Sequence, residues 1–235
     1  MDDQLDSLPD EQLDSLLDEQ LDSLLTEQIA YYRARAPEYD ATGSFVADDA
    51  YPALVAALEA FVPRGRVLEL ACGTGQWTAQ LARHATHLTA LDASAEMIAL
   101  NRTRVGRGDV EYVEADVFAW SPSERYDVVF FSAWLSHVPP QMFERFWSLV
   151  ARCLGRDGRA FAIDELPAVE QLESRLSGTV APVVERRLSS GESYRTVKVF
   201  YDPVELETRL NGLGWRVTVR PAGWRFFYLT GTPAG

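Results

Sequence analysis

Val67-Leu68-Glu69-Leu70-Ala71-Cys72-Gly73-Thr74-Gly75 is the stretch that decides how this chain folds. A short apolar run ends in a loop with two glycines, and a helical stretch follows from about Gln76 to His84. Strand, glycine loop and helix, in that order, open a parallel α/β unit. The glycines permit a sharp turn and let the backbone come close to a ligand. The C-terminal edge of this first strand is the expected binding crevice.

Outward from that unit the alternation continues. A helix from about Ala50 to Phe61 precedes it and is closed by Pro63-Arg64-Gly65. Strand His87–Asp92 follows it, then helix Ala95–Arg104 capped by Ser94. Strands Val110–Ala115 and Tyr126–Phe131 come next, then helix Gln141–Leu154 stopped by Gly155 and strand Arg159–Asp164 after Asp157-Gly158. Residues 184–200 read as two strands about Ser189-Ser190-Gly191-Glu192, and Asp202 caps a helix to about Asn211. Trp215–Arg220 and Trp224–Thr230 close the chain as a strand pair about Pro221-Ala222-Gly223. Strands separated by helices predict a mostly parallel sheet with helices on both faces. Residues 165–200 read as an insertion on the substrate side.

The N-terminal segment is of another kind. Asp10-Glu11-Gln12-Leu13-Asp14-Ser15-Leu16-Leu17 recurs as Asp18 through Leu25, with a degenerate copy beginning near Asp3. Eight residues do not match whole helical turns, so each copy rotates its leucines by about 80°. Leu13, Leu16, Leu17, Leu21, Leu24 and Leu25 still make an apolar stripe. Residues 1–28 hold ten acidic side chains and no Lys or Arg; outside them 25 acidic residues meet 22 basic ones. The net charge of −13 therefore belongs to this tail, and the body is nearly neutral. Such a body lacks the basic face that nucleic acid requires. The tail reads as a solvated acidic helix or a partner-binding one, carries no chemistry, and is expected to be dispensable for fold and pocket. A partition at residue 28 follows, with 29–235 as the catalytic domain and 29–62 as its N-terminal lid helices.

Val128-Val129-Phe130-Phe131, even extended by Ala133-Trp134-Leu135, falls far short of the roughly 18 residues that cross a bilayer. The acidic start argues against a secretion signal. Cys72 and Cys153 show no metal-type spacing, and no metal is expected. A reducing cytoplasm is the expected location.

A dinucleotide does not suit the glycine loop. That fingerprint wants a third small residue three positions after Gly75, where Thr78 stands behind bulky Trp77. Glu69 would also set negative charge near a phosphate, whereas a ligand carrying an ammonium and a sulfonium suits it.

Glu69, Gly73 and Gly75, with Ala71 in place of a first glycine, resemble motif I of the class I S-adenosylmethionine-dependent methyltransferases. Leu88–Met97, Val113–Val117 and Tyr126–Ser132 resemble the motifs that follow it in order. The resemblance implies a Rossmann-like fold with a seven-stranded, mostly parallel sheet and an antiparallel C-terminal strand pair. It implies S-adenosylmethionine as cofactor, with Asp92 on the ribose hydroxyls, Ala93 and Met97 against the adenine, and Asp116 and Val117 at the adenine amino group. Thr74 and Ser132 join the cofactor set. Met97 also suits the helix's core face, and Asp116 a solvated turn. Tyr31, Tyr32 and Arg35 resemble a lid over the cofactor, with Arg35 as partner of the methionyl carboxylate.

On the acceptor side, His137 follows the fourth strand and titrates near neutrality, which makes it the candidate general base; a hydrogen-bonded loop histidine is the alternative. Trp134 walls the substrate or belongs to the core, and Asp164 is a candidate substrate contact. Arg175, Arg186, Arg187, Tyr194, Arg195 and Lys198 give the insertion positive charge suited to an anionic acceptor. The expected activity is methyl transfer to O, N or C of a small molecule, in the manner of secondary metabolism. The alternatives are a protein or RNA methyltransferase, or a non-catalytic cofactor-binding scaffold assembled through the tail. A small-molecule acceptor is the expected partner, with no nucleic acid or membrane, and a homodimer through the tail is a further expectation.

Overall fold

The computed structural model describes residues 10–43 and 45–234, so the degenerate repeat near Asp3 lies outside the described residues. The N-terminal helices are α1 (Asp10–Arg35), α2 (Tyr39–Gly43) and α3 (Tyr51–Phe61). Then come β1 (Arg66–Leu70), α4 (Thr78–Leu81), β2 (His87–Asp92), α5 (Ala95–Val105), β3 (Val110–Glu114), β4 (Tyr126–Ser132), α6 (Phe143–Cys153) and β5 (Leu154–Glu165). The chain ends with β6 (Arg175–Leu176), β7 (Val183–Arg187), β8 (Ser193–Val197), α7 (Pro203–Gly212), β9 (Trp215–Ala222) and β10 (Phe226–Pro233).

Local chemistry sets several of these limits. Ser94 caps α5 by accepting from Met97 N–H, and Gly106 ends it in the left-handed conformation at φ 62°. Asp202 caps α7 by accepting from Val204 and Glu205 N–H, with Pro203 at the first turn. β5 starts earlier than the sequence pattern indicates: Leu154 already pairs with Tyr126, and the register then jumps to Val128 against Arg159. The Gly155–Gly158 turn is thus a bulge looped out of a strand.

The seven-stranded, mostly parallel sheet that the resemblance implies is present, in the order β3-β2-β1-β4-β5-β10-β9, and β6-β7-β8 form a separate antiparallel sheet. β10 lies antiparallel between β5 and β9. Strand order reverses between β1 and β4, so a crevice opens beyond their C-terminal ends. Alternation along the strands divides the core. Val129 and Phe131 point into the layer holding Phe146, Trp147 and Leu210. Val128 and Phe130 point into the layer holding Leu54, Leu58, Leu81 and Ile98. Each fully buried Leu or Phe contributes about 1.5–3 kcal/mol, so this two-layer packing holds the strand ends in place.

The expected boundary at residue 28 falls inside α1. Leu24 is buried against Ala181, Val183 and Val197 of the small sheet, and Leu21 and Leu25 pack on the main core. Glu27 accepts from Arg195 N–H and Nε, and Gln28 accepts from Val197 N–H. The second repeat is therefore part of the domain, because one helix carries it onto β8. Removal of residues 1–15 should leave the urea unfolding midpoint unchanged. Removal of residues 1–26 should cost about 2–5 kcal/mol, the range for emptying a buried Leu site.

Candidate functional site

β1 and β4 each end one residue before an alanine with left-handed backbone: Ala71 at φ 52° and Ala133 at φ 48°. Left-handed backbone disfavours any residue with a Cβ, and such conformations gather at binding sites. The two turns are pinned by hydrogen bonds: Cys72 N–H donates to Leu91 O at 2.9 Å, and Ala133 N–H to Ile163 O at 2.8 Å.

Between them lies a crevice lined by Ala71, Gly73, Asp92, Met97, Asp116 and Trp134 among others. Ala93, Val117, Ser132 and His137 also line it. Asp92 is the hinge of its wall. Its Oδ2 accepts from Gly73 N–H at 2.8 Å and its Oδ1 from Ser94 N–H at 2.9 Å. Burial raises its pKa, and those backbone donors act against the rise. Asp116 accepts from Phe118 N–H at 2.9 Å. A Cβ placed on Gly73 would meet nothing within 4 Å, so the loop leaves open space there. Ser132 Oγ and Trp134 Nε1 are buried polar atoms with no partner among the described residues. Open space, two unused hydrogen-bonding groups and a carboxylate at a strand end fit a polar nucleoside ligand.

Glu69 and Thr74 line a smaller cavity that shares Tyr39, Ala71, Gly73 and Ser132 with the crevice. Burial lifts the Glu69 carboxyl to about 8, although Thr78 Oγ1 donates to its Oε2 at 2.6 Å.

A second cavity adjoins the crevice through Tyr32, Tyr39, Ala133 and His137. Arg35, Arg186, Lys198 and Arg225 line it, together with the acids Asp40, Asp48, Glu165 and Glu173. Lys198, 2% exposed, donates to Ser136 Oγ at 3.0 Å and Glu165 Oε2 at 2.7 Å. Arg225 takes the other Glu165 oxygen at 2.8 Å. Burial opposes ionisation of Glu165, but Lys198 and Arg225 outweigh it and lower the pKa. Arg186 pairs with Glu173. Arg35 is different: it donates to Thr42 Oγ1 at 3.1 Å and lies over the Tyr31 and Tyr39 rings. Among the described residues it has no carboxylate partner.

His137 sits on the shared wall, 4% exposed. Its Nδ1 lies 2.6 Å from Val197 O and its Nε2 2.8 Å from Tyr32 OH. A carbonyl only accepts, so Nδ1 carries the proton and Nε2 accepts from the phenol. Burial lowers its pKa well below the ordinary imidazole value, and Lys198 and Arg186 lower it further. Neither ring nitrogen is free in this arrangement, which departs from the expectation of a general base.

The remaining sequence candidates sort by geometry. Arg35 lines the second cavity instead of the crevice. Tyr31 is 3% exposed and packs on the Tyr32 and Tyr194 rings. Asp164 accepts from Ser136 and Glu165 N–H, which ties the His137 turn to β5. Gly75 packs against Asn101 instead of lining the crevice. Gln28, Ile29, Tyr39 and Ser94 line the crevice without having been singled out. Gln28 and Ile29 fall on either side of the expected boundary, and only continuity of α1 places them here.

A family described as a methyltransferase domain matches residues 67–158. Trans-aconitate 2-methyltransferase of Escherichia coli is 37% identical over 87 residues, which cover 36% of this chain and 33% of that protein. An uncharacterized methyltransferase of Mycobacterium tuberculosis is 35% identical over 86 residues, covering 35% and 44%. The chain thus spans less than half the length of these curated relatives. Solved structures extend much further. DhpI in complex with SAH is 43% identical over 89% of this chain and 97% of that one, with a TM-score of 0.79. DhpI in complex with SAM and HEP is 42% identical over 89% and 98%, also at 0.79.

Replacing Asp92 by Ala should weaken S-adenosylhomocysteine binding by about 1–3 kcal/mol, the scale of a lost charged hydrogen bond. Calorimetry on the folded variant checks this, and unchanged affinity would remove Asp92 from the site.

Proposed function

This chain belongs to the class I S-adenosylmethionine-dependent methyltransferases, and we propose that it methylates an anionic oxygen of a small acidic acceptor held by Arg35 in the second cavity. The observation that carries this reading is the shared wall: Tyr32, Tyr39, Ala133 and His137 border both cavities. An acceptor in one space then faces a cofactor in the other. When bound, S-adenosylmethionine supplies an electrophilic methyl group for attack by an acceptor oxygen. DhpI, whose complex carries SAM and HEP together, supports a two-ligand arrangement of this kind.

Asp92, Asp116, Met97 and the Gly73 turn hold the nucleoside half, and Glu69 receives the methionyl ammonium. Arg35 holds the acceptor anion, because its guanidinium faces the cavity without a carboxylate of its own. An oxyanion needs no proton removed, so orientation and exclusion of water carry the reaction; orientation contributes roughly 7–11 kcal/mol in favourable cases. α1 supplies that exclusion by lying across both spaces. Neutral His137 fixes the Tyr32 hydroxyl on their common wall.

Two features concern setting and assembly. No described helix is long and apolar enough to cross a membrane, and both cysteines are buried free thiols, in keeping with a reducing cytoplasm. Leu16 and Leu17 of the first repeat remain exposed while Leu24, the repeat equivalent of Leu16, is packed; we assign that outer end of α1 to a second copy of this chain. Sedimentation velocity should show a dimer for the full chain and a monomer once residues 1–17 are removed.

The acceptor reading is tested with a panel of small acids and neutral analogues. Arg35→Met should raise KM for acidic acceptors roughly tenfold to a hundredfold, as for a lost charged hydrogen bond. Cofactor affinity should stay within about threefold. Because the His137 pKa is lowered, the ring stays neutral through the ordinary imidazole range. With S-adenosylmethionine saturating at every pH, turnover should therefore show no inflection near pH 6.5 and should fall only in more acidic solution. Preference for neutral acceptors would overturn the proposal.

A further inference from the structure

Behind the glycine loop lies a buried polar chain that touches neither cavity's acceptor wall. Asn101 on α5 is fully buried. Its Nδ2 donates to Gly73 O at 3.2 Å and to Thr78 Oγ1 at 2.8 Å. Its Oδ1 accepts from Tyr112 OH on β3 at 2.9 Å. Thr78 Oγ1 in turn donates to Glu69 Oε2 at 2.6 Å.

The direction of every hydrogen in this chain is determined. Gly73 O can only accept, so the amide nitrogen of Asn101 must face it, and a flipped amide would set two acceptors together. Both Nδ2 hydrogens are then used, one on Thr78 Oγ1 and the other on the loop carbonyls, Gly73 O and the longer contact at Cys72 O, 3.5 Å away. The single Thr78 hydrogen is left for Glu69. Oε2 of Glu69 is therefore held as an acceptor, and a hydrogen bond to the charged form of a carboxylate favours that form. The second loop glycine serves the same contact: a Cβ on Gly75 would stand 2.5 Å from Asn101 Oδ1.

We propose that Asn101 is a positioning residue for cofactor binding: with Tyr112 it aims the Thr78 hydroxyl at Glu69, which favours the ionised form of that carboxyl and turns it toward the methionyl ammonium. This rests on Glu69 receiving the ammonium, as proposed above. The surroundings make such help necessary. Burial raises the Glu69 pKa and the Asp92 carboxylate raises it further, while the Thr78 hydrogen bond acts against both. The neighbouring Cys72 and Tyr112 bring no positive charge; each is itself pushed up, mainly by burial, with Glu69 adding to the rise. No cation figures among the groups that shift Glu69, so the hydroxyl is what opposes protonation before ligand arrives.

The test is S-adenosylhomocysteine binding by calorimetry from pH 6.5 to 9.5, in the full chain and four variants. The ligand's own amine titrates alike in all of them, so differences between variants report on the protein. For the unaltered chain, affinity should climb as Glu69 ionises near its pKa of about 8. Thr78→Val should move that climb upward by about one pH unit, which is about tenfold weaker binding at pH 7. Thr78→Ser, which keeps the hydroxyl, should restore the original profile. Asn101→Asp should act like Thr78→Val, because the new carboxylate draws the Thr78 hydrogen away from Glu69. Thermal melting separates a folding defect from a binding one, and Thr78→Val tests the chain even if Asn101→Asp fails to fold. Glu69→Gln should abolish the climb. A climb unmoved in Thr78→Val but absent in Glu69→Gln would overturn the relay and leave the ammonium assignment standing. A climb that persists in Glu69→Gln would overturn both.

Discussion

Two adjacent parallel strands end in backbone that an L residue adopts reluctantly. Ala71 and Ala133 both lie in the left-handed region, side by side where strand order reverses between β1 and β4. The sheet can impose this because Leu70 and Phe131, just before the turns, are fully buried and paired. Leu70 is matched to both Leu91 and Phe131, and the amides of Cys72 and Ala133, just beyond the strands, are bonded across to β2 and β5. A cost of about 1–3 kcal/mol at each turn is small against the core that enforces it. The splayed turns separate the strand ends, and every ligand-facing group is placed relative to that gap.

From the gap, charge is arranged by burial. Carboxyls at the ends of β1, β2 and β5 are all held out of water, yet they behave differently because their partners differ. Glu69 has one hydroxyl and Asp92 has backbone amides, and both pKa values are raised. Glu165 has Lys198 and Arg225, and its pKa is lowered. The sheet edge thus offers a cation-seeking end beside the glycine loop and an internally balanced ion cluster on the acceptor side. Burial lowers the His137 pKa, and Lys198 and Arg186 lower it further, so the ring is neutral beside this cluster.

α1 joins these parts. A single helix carries Leu24 into the small sheet, Gln28 to His137 O and Val197, Tyr32 to His137, and Arg33 to Ala93 O. Cofactor loop, acceptor wall and insertion are therefore coupled through one rigid element. A helix packed over much of its length on one sheet resists fraying more than a free acidic tail of the same composition.

The order of strands and helices, the glycine loop and the acids at the strand ends were legible in the sequence, because local periodicity and turn chemistry fix them. Asp92 at the end of β2, Met97 on α5 and Asp116 beyond β3 all line the crevice. What the sequence could not convey depends on contacts between distant residues. The acidic composition of residues 1–28 hides a helix whose buried side is chosen by β8. Arg35 faces the second cavity because Tyr31 and Tyr39 hold its guanidinium there. The imidazole of His137 looks like a base in isolation; the carbonyl of Val197, 60 residues away, and the phenol of Tyr32 take both its nitrogens. Gly75 reads as a ligand-facing glycine and proves to make room for Asn101. Proton positions and cavity walls are properties of packing across the chain, and only the tertiary structure decides them.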